Sequence, residues 1–152
     1  GARTKFTLDH IGGILDQAYF KKITNLFEGV KSISFLGPIE KEKLQTVLAN
    51  YDLLLHSSFI EGGSLVIQEA QNAGLPIIAS DISCHTALLG SAYVGLHSVG
   101  SAIDVSEKLH AFFFDELFRK QMEKQLLSCP AAGTTLGKEQ EEVRKVLSYI
   151  QV

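Results

Sequence analysis

The chain has 152 residues, 45% of them hydrophobic and 20% charged, with nine Phe and three Pro, which is the make-up of one soluble globular domain rather than of a disordered or collagen-like chain. Fourteen Lys and Arg against seventeen Asp and Glu give a net charge of −3, so no general attraction for phosphate backbones is expected and nucleic acid is not a predicted partner. No apolar run approaches the ~20 residues needed to cross a bilayer, and no charged-then-apolar leader opens the chain.

Gly1-Ala2 reads as a cloning remnant, and a single domain is expected over residues 3–152. Phe6 to Ile11 is predicted as a strand closed by Gly12-Gly13, followed by a helix over Gln17 to Phe27 with Tyr19, Ile23 and Leu26 on one face. Ser32 to Leu36 repeats the strand and stops at Gly37-Pro38, where Pro cannot donate to a ladder. Leu44, Val47, Leu48 and Tyr51 then recur at helical steps. Asp52 to Ser57 carries three consecutive leucines, the pattern of a strand covered on both faces, and is placed at the sheet centre.

Ser64 to Ala73 is predicted as a helix with Ser64 as N-cap and Gly74 as its C-terminal stop. Ile77 to Ser80 is the fourth strand, Tyr93 to His97 a short fifth, and Ile103 to Phe114 a helix. The pattern weakens beyond that point; Cys129 to Thr135 reads as a loop and Lys138 to Ile150 as a closing amphipathic helix. Strands alternating with helices in this way predict an α/β fold, a Rossmann-like doubly wound parallel sheet with helices on both faces. Ligands of such sheets bind beyond the carboxyl ends of the strands, which points to Gly12-Gly13, Gly37, Ser57 to Ser64, and Ser80-Asp81.

The segment Ser57 to Glu69 joins a strand to a helix through a loop holding an acid and two glycines. Glycines admit a ligand close to the backbone, and the first amides of the next helix are free donors in a partial positive field, so a phosphate or sugar hydroxyl can dock there; a plain turn explains the glycines equally well. Glu69 falls on the flank of the helix's apolar stripe, where a carboxylate needs donors, although a solvated surface acid is the commoner case.

Glu61 and Glu69 stand eight positions apart in the frame Ser-x-x-x-Glu-Gly-x-x-x-x-x-x-Glu-Ala, followed by Gly74-Leu75-Pro76-Ile77-Ile78-Ala79-Ser80-Asp81. This resembles the Glu-x-seven-Glu signature and following strand in the C-terminal, nucleotide-sugar-binding half of GT-B-fold glycosyltransferases, notably glycosyltransferase family four, and the likeness runs in order from about Phe6 to Gly100. Glu61-Gly62-Gly63 and Leu88-Leu89-Gly90-x-x-Tyr93-x-Gly95 are similar to a bacterial branch that includes selenosugar synthase-like proteins. The resemblance implies one half of a GT-B fold and a nucleotide-diphosphate sugar as donor. It places Glu61 at the sugar as the catalytic-site acid and Glu69 at the ribose hydroxyls. Backbone amides of Gly62, Gly63, Ser64, Leu65 and Val66 would hold the sugar and diphosphate, with Gly37 and Pro38 facing the base. It implies no metal and no cofactor, and no Asp-x-Asp pair occurs.

Two departures stand against the family pattern. The Arg and Lys that pair with the diphosphate in the family precede the start of this chain, and Arg3 and Lys5 do not match them. After Asp81, where glycine is common, this chain has Ile82-Ser83-Cys84-His85. Adjacent side chains rarely face each other, so Cys84 and His85 are expected to be structural or solvent-facing rather than nucleophile and base. His56 is expected to be a satisfied strand-end residue close to the site.

The expected function is donor binding for glycosyl transfer to an unidentified acceptor held by an N-terminal domain outside this chain, which alone would be inactive. Two other readings stay open: a non-catalytic interaction module, motivated by the run Phe112-Phe113-Phe114, which cannot all face inward, and a GT-B-fold nucleotide-sugar epimerase. The two cysteines, Cys84 and Cys129, suit a reducing compartment, so the cytoplasm is expected, with peripheral membrane association of a full-length protein left open.

Overall fold

In the computed structural model, which describes residues 6–129, the chain divides into two units, Gly1–Leu44 and Gln45–Val152. Arg3, Lys5 and the helix expected over Lys138 to Ile150 lie outside the described residues, as does the Cys129 to Thr135 loop beyond its first residue.

The first unit is a strand–helix–strand. β1 (Leu8–Ile11) and β2 (Ile33–Gly37) run parallel, with Leu8 opposite Ile33 and His10 opposite Phe35. The register slips by one residue after His10, so that Ile11 faces Gly37 rather than Leu36. Gly37 absorbs that slip with a φ of +73°, a conformation strained for residues with a Cβ, and its carbonyl accepts from Gly12 N–H at 3.0 Å. Between them runs α1 (Gln17–Leu26). It starts where Asp16 accepts from the amides of Ala18 and Tyr19 at 2.8 and 2.9 Å, a cap that satisfies two otherwise orphaned donors. Phe20 packs edge-on against Phe35 at 5.2 Å, and so closes the crossover on its own strand.

α2 (Lys41–Leu48) carries the boundary between the units. The second unit holds a three-stranded parallel sheet, β3 (Leu54–His56), β4 (Ile77–Ser80) and β5 (Leu96–His97), in the order β3-β4-β5. β4 is therefore the central strand of this sheet, and the expectation that placed β3 there is corrected. All four β4 residues are buried, whereas β3 is half-buried throughout. The helices are α3 (Leu65–Asn72), α4 (Ser83–Leu89), α5 (Ala102–Phe114) and α6 (Glu116–Ser128). Ile67, Ile77, Ile78 and Met122 are fully buried, each worth about 1.5–3 kcal/mol of transfer free energy. Tyr93 crosses this core to accept the Ile77 amide on its hydroxyl at 3.2 Å, and burial pushes the phenol well above its ordinary value.

Two helices escaped the sequence reading. α4 has Ile82 at its N-cap position, which offers no side-chain cap, and is too short to display a period. α6 reads as a charged stretch, but Phe118, Met122 and Leu126 recur every four residues, and Met122 and Leu126 are buried. Asp115 caps it, accepting from the Leu117 and Phe118 amides. The three adjacent phenylalanines separate as expected, with Phe112 buried and Phe114 62% exposed.

Candidate donor site at the carboxyl ends of the strands

The strands of the second unit end in polar residues that bond across the sheet rather than along it. Ser80, buried at the end of β4, donates its hydroxyl to the Ser58 carbonyl at 2.6 Å and accepts from the Ser58 amide at 3.1 Å. Both backbone groups of Ser58 are thereby satisfied by one side chain, which fixes where the loop leaves β3. His97, ending β5, lies 3.0 Å from the Ser98 carbonyl through Nδ1, so that nitrogen carries the proton and Nε2 accepts from the Ser57 hydroxyl at 3.2 Å. Ser57, Ser58, Phe59, His97 and Ala102 are among the residues lining a cavity of about 320 Å³.

The loop then turns to present Glu61. Its Oε1 accepts from the Ser58 hydroxyl at 2.5 Å and from His56 Nε2 at 2.6 Å, and its Oε2 lies 3.5 Å from Nε2 of His85. The Glu61 side chain is only 20% exposed. Burial works against ionisation, but the Ser58 and Ser64 hydroxyls and the His56 ring outweigh it and hold the carboxyl down at about 2. Ser64 Oγ is buried without a partner in hydrogen-bond distance, so its share is that of a nearby hydroxyl dipole; Ser58 and His56 make the bonds.

Ser64 occupies the N-cap position of α3, as expected, but its hydroxyl does not cap. The helices α1, α5 and α6 each begin with a side-chain cap. The first amides of α3, at Leu65 and Val66, have no carbonyl one turn before them and no side-chain cap, so they are donors available to a ligand. Added Cβ atoms at Gly62 and Gly63 would meet nothing within 4 Å, and neither residue has a positive φ. Neither packing nor backbone conformation explains these two glycines.

Glu69 sits half-buried on α3, one turn beyond these amides. Its backbone carbonyl accepts from Gln45 Nε2 at 3.1 Å, while its carboxylate has no hydrogen-bond or ion-pair partner among the described residues. Of the residues singled out in the sequence, Glu61, Gly62, Gly63, Ser64, Leu65, Val66 and Glu69 thus form one continuous stretch from the end of β3 into α3. Gly37 and Pro38 lie at the carboxyl end of β2 in the first unit.

Of the two expectations for His85, structural or solvent-facing, the fold shows the first: its side chain is fully buried, holds the Ser80 carbonyl and is turned toward Glu61. Its distance from Cys84 in role is as expected, since the two do not pair, and among the described residues both cysteines are free thiols. Burial raises the Cys129 thiol above its ordinary value, which disfavours a reactive thiolate there. His56, Glu61 and His85 bring three potential metal-ligand atoms within 4.8 Å of one another. The 2.6 Å between His56 and Glu61 is the spacing of a donor and an acceptor, whereas two ligands of one zinc ion stand roughly 3.3 Å apart.

Comparison with known proteins bears on the family and the fold. The family model for glycosyl transferases group 1 matches residues 3–126. A curated relative, "Glycosyltransferase 1 domain-containing protein 1" from Xenopus tropicalis, is 30% identical over 86 residues, 57% of this chain and 25% of its own length. Among solved structures, Anabaena Alr3699/HepE in complex with UDP-glucose matches with a TM-score of 0.72 at 20% identity, over 83% of this chain and 36% of that one. The pneumococcal O-GlcNAc transferase GtfA in complex with UDP and GlcNAc matches with a TM-score of 0.68 at 20% identity, over 93% and 29%. The fold is therefore that of one part of a GT-B glycosyltransferase, and the chain spans about a quarter to two fifths of the proteins it resembles. By the extent of the family match, this chain belongs to the glycosyl transferases group 1 family.

Proposed function

We propose that this chain supplies the donor side of a glycosyl transfer, binding a nucleotide-diphosphate sugar around Glu61 and the first turn of α3. The observation that carries the reading is an ionised, largely covered Glu61 beside a helix start whose amides no side chain caps. The carboxylate accepts hydroxyl protons of the sugar, and the amides from Gly62 to Val66 receive the negative charge that builds on the departing diphosphate. Glu69, with its carboxylate unengaged among the described residues, takes the two ribose hydroxyls. Charge is met by amide dipoles, so the reading requires no metal.

The solved neighbours hold UDP-glucose in one case and UDP with GlcNAc in another, which makes a uridine nucleotide the first ligand to try. The acceptor is held by a further domain of a longer protein, and the present chain alone transfers nothing. The free thiols fit a cytoplasmic setting. Calorimetric titration with UDP-glucose, UDP and glucose tests the reading. UDP-glucose binds, and Glu69→Ala weakens it by about tenfold. Absence of heat at millimolar ligand, or an unchanged affinity in Glu69→Ala, contradicts it.

A second reading rests on Phe114 and Leu117, which are 62% and 79% exposed at the junction of α5 and α6. Such a pair serves an interaction module, and light scattering that detects association abolished by Phe114→Ser favours it.

A further inference from the structure

Glu61 is held unequally. Its Oε1 accepts two hydrogen bonds from its own segment, from Ser58 and His56, while Oε2 faces a residue of a different element, His85 in α4. The His85 ring is fixed from behind. Nδ1 lies 2.8 Å from the Ser80 carbonyl, and a carbonyl only accepts, so Nδ1 carries a proton. The opposite nitrogen, Nε2, is buried, has no hydrogen-bond partner, and lies 3.5 Å from Oε2. A bare Nε2 would set a lone pair against a carboxylate oxygen in a place solvent does not reach, which is a costly arrangement. A proton on Nε2 turns the same geometry into a charge-assisted pair, its nitrogen roughly 0.6–0.8 Å beyond the usual donor–acceptor distance.

We infer that His85 is a positioning residue for Glu61: both its ring nitrogens donate, Nδ1 to the Ser80 carbonyl and Nε2 to Glu61 Oε2, and this fixes the plane of the carboxylate against the donor sugar. Ser80 is the common anchor, since its hydroxyl ties Ser58 and its carbonyl ties His85. The carboxylate is thus braced from the loop after β3 and from the helix after β4. The inference rests on the proposed donor reading for its effect on ligand, but not for the hydrogen bond itself.

Two substitutions separate positioning from a structural tether. In His85→Asn the short amide can still reach the Ser80 carbonyl but not Glu61; in His85→Gln the longer amide places a donor where Nε2 stood. The proposal predicts that His85→Asn weakens UDP-glucose by about tenfold while UDP, which lacks the sugar, stays within about twofold, and that His85→Gln recovers most of the loss. Equal weakening of both ligands, an unchanged affinity for UDP-glucose in His85→Asn, or a His85→Gln no better than His85→Asn overturns it. Long-range proton–nitrogen correlation on the unsubstituted protein without ligand needs neither a folded variant nor a nucleotide. Protons on both ring nitrogens of His85 are expected; a bare Nε2 overturns the inference, whatever becomes of the donor reading. Failure of UDP-glucose to bind with both nitrogens protonated counts against the donor reading and leaves the brace standing.

Discussion

His56 Nε2 stands 2.6 Å from Oε1 of Glu61, five residues further along the chain, so the end of β3 folds back on the acid of its own loop. The carboxylate accepts and the ring donates, and with Ser58 this keeps the carboxyl at about 2 instead of 4.5. A depressed carboxyl contributes stability that is fully present above its unfolded value and is lost as pH falls toward its folded value. With the side chain 20% exposed, the contribution is on the order of 2–3 kcal/mol. In urea denaturation, the stability gap between the natural protein and Glu61→Gln is expected to be largest above pH 4.5 and to close as pH falls to 2. Asp104, also lowered chiefly by the Ser98 amide, acts on both curves and cancels. A gap that does not change with pH contradicts the assignment.

Ser80 serves both backbone groups of Ser58 at 2.6 and 3.1 Å while itself buried. Ser80→Ala leaves the half-buried Ser58 carbonyl and amide without their partner, a loss of about 1–2 kcal/mol. Because these bonds set where the loop begins, UDP-glucose affinity is expected to fall together with stability. Denaturation and calorimetry on the same preparation check both; a stable Ser80→Ala with weakened stability nowhere and full affinity would show the tie to be dispensable.

The glycines divide sharply by reason. A Cβ on Gly95 would stand 2.2 Å from the Ile77 carbonyl and 2.6 Å from the Tyr93 ring, and the first of these is backbone that cannot turn aside. Gly95→Ala is expected to cost about 3 kcal/mol or more in unfolding free energy. Gly63→Ala meets open space, so its stability is expected to stay within about 1 kcal/mol of the natural protein. Its affinity for UDP-glucose nevertheless falls, because the methyl group occupies the approach to the amides. A Gly63→Ala that binds normally removes the glycine from the site.

Much of the fold was legible because its cues are local. Leu53 to Leu55, Ile77 to Ala79 and Gly74 mark strands and a helix end by apolar run and glycine, and β4 emerged with the bounds expected, Ile77–Ser80. Centrality was not legible: three leucines in a row describe β3 well, but burial depends on neighbours that the sequence does not name. The acids and glycines of the loop were legible as a motif. His85 was not, because its placement depends on the Ser80 carbonyl that holds Nδ1 and on a turn of α4 with no cap to announce it. Ser64 was half legible: its position caps α3, but its hydroxyl is buried facing inward.

The central claim is that a nucleotide sugar docks on the stretch from Glu61 into α3. Amide-resolved NMR during titration of the protein with UDP-glucose tests it most directly. The account predicts that the amides of Gly62, Gly63, Ser64, Leu65 and Val66 shift together and saturate at one ligand concentration, and that Glu69→Ala moves that concentration upward. Shifts confined to other surfaces, or none in this stretch at saturating ligand, would contradict it.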